Sequence, residues 1–115
     1  MNSHTCSWDN HGTRERWSVP TLWRAAEGMQ VLTLCVRGFE EAREVEEWLR
    51  NPSGHPDDMA RILKADLSYP ILLHPSWWVM DGYHRIGRSL LEGRDLIQAI
   101  RFLPENLPPP DPRIV

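Results

Sequence analysis

Apolar and polar positions along the chain fall into short blocks that alternate between two periods. After Ser18, Leu22, Trp23 and Ala26 form one apolar edge, with Pro20 in the first turn and Gly28 as a stop, which predicts a helix capped by Ser18. In "QVLTLCVR" Leu32, Leu34 and Val36 alternate with Val31, Thr33 and Cys35, a period of two that predicts a strand with Cys35 in its interior as a small buried residue. "FEEAREVEEWLR" spaces Phe39, Ala42, Val45, Trp48 and Leu49 as one helix face and leaves the other face acidic. "NPSGHP" breaks the chain. Asp57 or Asp58 then caps a helix with a narrow stripe of Met59, Ile62 and Leu63.

The second half repeats the contrast. "YPILLH" and "WWVMD" read as two strands around the connector Pro75-Ser76, a hairpin without the Asn-Gly or Asp-Gly that fixes the tightest turns. A helix over 83–92 puts Tyr83, Ile86, Gly87 and Leu90 on a buried stripe and Arg85, Arg88, Ser89 and Glu92 on the other side. Gly87 within the stripe would let this helix approach the sheet. Gly93 stops it, and "LIQAIRF" is a last strand. The expected order is α-β-α-α-β-β-α-β: a small mixed α/β sheet packed by helices, in one domain over 18–103. Residues 1–17 read as a polar, loose tail, and 104–115 as a Pro-rich tail that cannot continue a sheet.

Composition narrows the classes. The 115 residues are 41% apolar, enough for one modest core. No apolar run approaches the roughly 20 residues of a membrane span, and the start does not read as a secretory signal. Cys6 and Cys35 are too few and too far apart for a disulfide framework, so the expected setting is cytoplasmic with free thiols. The net charge of −3 gives no surplus for neutralising phosphates along a nucleic acid. His4, Cys6 and His11 lack an obvious fourth ligand, and no metal site is assigned to them.

The chemistry concentrates in "VMDGYHRIGR". Gly82 permits a tight strand-to-helix corner. The first N–H groups of the following helix lack internal partners and lie at the positive end of its dipole. Asp81, Gly82, His84 and Arg85 therefore surround a potential anion site. The alternative is that Asp81 only caps the helix and the arginines are solvated. Elsewhere, the acidic run "EEAREVEEW" offers a base or simply a solvated face, and Asp66 reads as a turn residue. Trp23 and Trp48 are expected in the core. Of Trp77 and Trp78, alternating beside the motif strand, one should face inward and the other outward, toward a nucleobase or an interface.

From Ala65 to Phe102, "ADLSYPILLHPSWWVMDGYHRIGRSLLEGRDLIQAIRF" resembles the ParB/sulfiredoxin-like superfamily, and most of all its small stand-alone bacterial ParB-like proteins. The shared pattern is a strand ending in Asp-Gly-x-His-Arg, a helix, Gly and a closing strand. The resemblance implies that fold and a turn that binds nucleotide phosphates through Gly82, Tyr83, His84, Arg85 and Arg88. It further implies a nucleoside triphosphate, ATP foremost, with Mg²⁺, and a small-molecule acceptor. Asp81 and His84 would act at the site, and a helix-borne glutamate, Glu47 among Glu40, Glu41, Glu44 and Glu46, would take the acceptor's proton. Tyr83 stands where sulfiredoxins carry their catalytic cysteine, which speaks against sulfinic-acid repair. The leading expectation is thus a nucleotide-binding protein with phosphotransfer or nucleotide hydrolysis in view. A non-catalytic nucleotide-responsive interaction module, as a homodimer or with a protein partner, is the alternative. A DNA-associated or nuclease-like role comes third, against the charge. The phosphate reading requires an open corner and a guanidinium at Arg85 that is not locked into an internal ion pair.

Overall fold

A computed structural model describes residues 5–10 and 13–111 of the chain, with side chains from Glu15 to Asp111. His4, Cys6 and His11, the weak metal set, lie outside the side chains described. The elements are β1 (Thr5–Asn10), β2 (Thr13–Ser18), α1 (Val19–Ala25), β3 (Leu32–Cys35), α2 (Glu41–Arg50), α3 (Pro56–Lys64), β4 (Ile71–Leu73), β5 (Val79–Asp81), α4 (Tyr83–Leu91) and β6 (Leu96–Arg101). From α1 onward the order is the expected α-β-α-α-β-β-α-β, and the fold class is mixed α/β.

The main sheet runs β3-β6-β4-β5. β6 pairs antiparallel with β3 and parallel with β4, and β4 pairs antiparallel with β5 across a register shift at Leu72/Leu73. The parallel β4–β6 pair needs a crossover, and α4 provides it. Alternation along the strands sends side chains to two cores. Ile71, Leu73, Val79, Ile97 and Ala99 meet Val45, Ile86 and Leu90 of α2 and α4 on one face. Leu72, Met80, Ile100 and Phe102 meet Trp17 and Leu22 on the other. The central strands are buried on both sides, which is why "ILL" and "AI" read as continuous apolar runs.

Ser18 caps α1 as expected, its hydroxyl accepting from the Thr21 N–H at 3.3 Å. The helix read as capped by Asp57 or Asp58 begins two or three residues earlier. Pro56 occupies its first position, His55 stands at the cap without a side-chain bond, and both aspartates fall in the first turn, where the helix dipole favours them. Gly87 serves a different approach from the one expected. A Cβ there would lie 2.7 Å from Ile62 Cδ1 and 3.1 Å from Val45 Cγ1, so its missing side chain lets α4 nest against α2 and α3, not the sheet. Ser89, expected on the outer side of α4, is buried. Cys35 is exposed, because the β3 face that carries it is uncovered.

The largest departure lies at the chain's ends. The stretch read as a loose tail forms an antiparallel hairpin, β1 with β2, and Trp17 is fully buried. The Pro-rich segment returns across it. The Trp17 indole donates to the Pro108 carbonyl at 2.8 Å, and the Asp111 N–H to the Arg16 carbonyl at 2.6 Å. Described residues on both sides of 18–103 thus pack against it, Trp17 and Leu107 among them. Proline cannot join a ladder, but its carbonyl still accepts a hydrogen bond.

Candidate functional site

Gly82 sits at the corner between β5 and α4 with φ +125°, a backbone that L side chains rarely adopt. A Cβ there would fall 2.8 Å from the Cβ of Ile71, so the corner is closed against the sheet as well as twisted. Glycine answers both constraints. No side chain caps α4, so the alternative in which Asp81 only caps the helix does not hold. Its Oδ2 instead accepts from the Arg85 Nη2 at 2.9 Å and from the Trp23 indole at 3.0 Å.

Arg85 is thereby held in an i,i+4 ion pair with Asp81, its side chain 14% exposed. Its guanidinium also lies 5.6 Å from the Trp23 ring centroid, within cation–π range. The condition that this cation be free of an internal ion pair is not met. Among the described residues, Arg85 Nε is buried with no hydrogen-bond partner, and so is Ser89 Oγ one turn further along the same helix.

His84 follows Tyr83 and precedes Arg85, yet successive helical residues diverge by about 100° around the axis. It faces α2 and α3. Its Nε2 lies 3.1 Å from Asp58 Oδ1, and its ring stacks on Trp48 with centroids 5.7 Å apart. His55 approaches the same carboxylate at 4.0 Å. Tyr83 lies beside Trp48 as well, 6.3 Å between ring centroids. The two motif side chains expected to share one anion therefore point at different neighbours. Arg88 turns to Glu92 and donates to the Leu63 carbonyl at 2.8 Å. Hydrogen bonds from Arg88 and Arg94 hold the Glu92 carboxyl below its ordinary pKa.

Glu47 stays on the exposed face of α2, paired with Arg50 at 3.1 Å, and makes no hydrogen bond or ion pair with the turn. Glu46 is 3.7 Å from Arg37. Glu41 plays a structural part, since its Oε2 accepts from the Val79 N–H at 2.8 Å and ties the start of α2 to β5. Asp66 is the turn residue expected. It accepts from the Ser68 hydroxyl at 2.7 Å and the Ser68 N–H at 2.9 Å, and those bonds lower its pKa, with a smaller contribution from the charge of Arg85.

Two residues that matter here have other roles in the sequence reading. Trp23 is expected in the core and Asp58 at a cap, yet they hold Asp81 and His84 respectively. Periodicity carries no signal for such partners, 58 and 26 residues away. No family model, curated protein or solved structure matches the chain. These comparisons add nothing to the resemblance read in Ala65–Phe102.

Proposed function

We propose, in place of the open phosphate corner that the Asp81–Arg85 pair rules out, that the Gly82–Arg85 turn receives the phosphate of a nucleotide only by displacing Asp81 from Arg85, and that the chain works as a nucleotide-binding module of ParB/sulfiredoxin-like type. The observation that carries this reading is Arg85 itself. It stands in the first turn of a helix with no side-chain cap, it has one ionic partner, and its Nε is buried without any. A phosphate offers several acceptor oxygens to a forked donor, where Asp81 engages a single nitrogen. Helix N–H groups at the corner would add to the attraction. Asp81 is then an internal competitor, and the ligand must outweigh the pair it breaks.

The geometry favours binding over phosphotransfer. A base must reach the proton it removes, and Glu47 lies on the exposed face of α2, paired with Arg50 and making no bond to the turn. Mg²⁺ would arrive on the phosphates of ATP, because among the described residues no three His, Cys, Asp or Glu side chains converge on a metal position. No helix among the described residues is long and apolar enough to cross a membrane, so none provides an anchor of that kind.

Calorimetry with ATP, GTP and CTP, each with and without Mg²⁺, tests the proposal on the wild type and on Asp81→Asn. The asparagine keeps an acceptor for Trp23 and releases Arg85. Affinity should rise about tenfold in the variant, the equivalent of about 1.4 kcal/mol. If neither protein binds any nucleotide or pyrophosphate, the reading is wrong. The interaction-module alternative draws on a separate observation, an exposed tryptophan at the tip of the β4–β5 turn.

A further inference from the structure

That tryptophan, Trp77, is the only non-glycine residue with positive φ among those described, at +75°. Such a backbone is costly for a bulky side chain and persists only where its surroundings impose it. Here they do. The Trp77 N–H donates to the His74 carbonyl at 2.8 Å, the His74 N–H to the Trp78 carbonyl at 2.9 Å, and Arg101 donates from Nε to the Pro75 carbonyl at 3.0 Å. Glycine or asparagine would meet the same turn without strain. The large ring is nonetheless 46% exposed.

Beside it lies an open groove of about 340 Å³, between the start of α2 and the β4–β5 turn, walled by Phe39, Trp77 and Trp78 and edged by Glu40 and Glu41. The volume is at the low end of the ~300–1,000 Å³ of ligand pockets, so it suits a side chain more than a cofactor. Glu41 is fixed by its bond to Val79, and neither Glu40 nor Glu41 enters an ion pair among the described residues. Aromatic walls with carboxylates select an organic cation and repel an anion. The molecule itself supplies a precedent: the Arg101 guanidinium lies 4.1 Å from the Trp77 ring centroid. Its positive charge opposes a second cation, but the two glutamates outnumber it.

We infer that this groove binds an arginine side chain presented by a partner polypeptide. Arginine fits because its planar guanidinium stacks on indole and forks toward a carboxylate together. An open groove covers too little of a free amino acid to hold it, so the side chain arrives on a longer chain that gains further contact along the turn. The inference stands apart from the phosphate site and is read at other residues, with no nucleotide present.

The test is an NMR titration of the full chain with the blocked peptide acetyl-Gly-Arg-Gly-amide and its citrulline counterpart, following the Trp77 indole and the Glu40 amide. Saturable shifts with the arginine peptide alone are expected, weakened about fivefold by Glu40→Gln and abolished by Trp77→Gly, which keeps the turn's backbone. Equal shifts with citrulline, an unchanged response in Glu40→Gln, or no saturable shift in the wild type would each overturn the inference. Free arginine amide binding as tightly as the peptide would overturn the polypeptide partner.

Discussion

The two faces of the main sheet are built from different kinds of sequence. One is covered by α2 and α4, whose apolar residues recur at helical spacing and meet the strands in a single core. The other is covered by α1, the β1–β2 hairpin and the Pro-rich segment, which share no periodicity. Both exclude water equally well: Trp17, Phe102 and Leu72 are as fully buried as Val45, Ile71 and Ile86. Regular patterning is thus one route to a covered sheet face, and a few large side chains with well-placed hydrogen bonds are another. The motif helix divides between the two. His84 looks toward Trp48 and Asp58, while Arg85 looks toward Trp23, which packs against the second core.

The strongest challenge to this comparison is Trp17→Ala. If the second face is as integral as its burial indicates, the substitution should cost about 3–5 kcal/mol in urea denaturation. A loss under about 1 kcal/mol would mean that the hairpin merely rests on the domain. Next comes Gly82→Ala, which forces a methyl toward Ile71 at a positive φ. Roughly 2–4 kcal/mol is expected from strain and overpacking combined, read by the same denaturation.

Arg85→Ala should cost about 1–3 kcal/mol, because Asp81 would be left partly buried with only Trp23. A weaker nucleotide signal in that variant must therefore be read beside its stability, which is why Asp81→Asn is the sharper probe. On the helical face, Glu47→Gln should change stability by less than about 0.5 kcal/mol and leave nucleotide affinity unaltered. A large loss of affinity would restore Glu47 to the site.

A pH titration reports on the hairpin side. His74 packs between Trp17 and Trp78 on the hairpin side, and burial lowers its pKa from the ordinary 6.5, against a weaker opposing pull from Glu15. The unfolded chain then binds the proton more readily than the folded one. Stability from this residue is complete above about pH 6.5 and is lost as pH falls through that value toward the folded pKa. His74→Gln should flatten the slope measured by thermal unfolding between about pH 7 and about pH 5.

The local order of elements was legible because it depends on neighbours in the chain. Ser18, Gly28 and Gly93 bound their helices, and alternation marked β3. Gly82 was legible too, since a twisted corner after a strand calls for glycine whatever lies above it. The roles of Gly87 and Ser89 were less so: one face of α4 was identified, but not which element fills it. Cys35 misled for a related reason. An alternating strand has two faces, and the pattern does not say which remains uncovered.

What the sequence determined by itself was the run of helices and strands from α1 to β6, the mixed α/β class and the position of the motif at a strand-to-helix corner, because these follow from spacing and backbone preference within a few residues. Only the tertiary structure decided that Trp17 and Leu107 pack into the second core, that Trp23 holds Asp81, and that Arg85 and His84 part company. Each of those outcomes is a contact between residues far apart in the chain. Such contacts depend on which surfaces meet once the sheet has closed, and no local pattern encodes them.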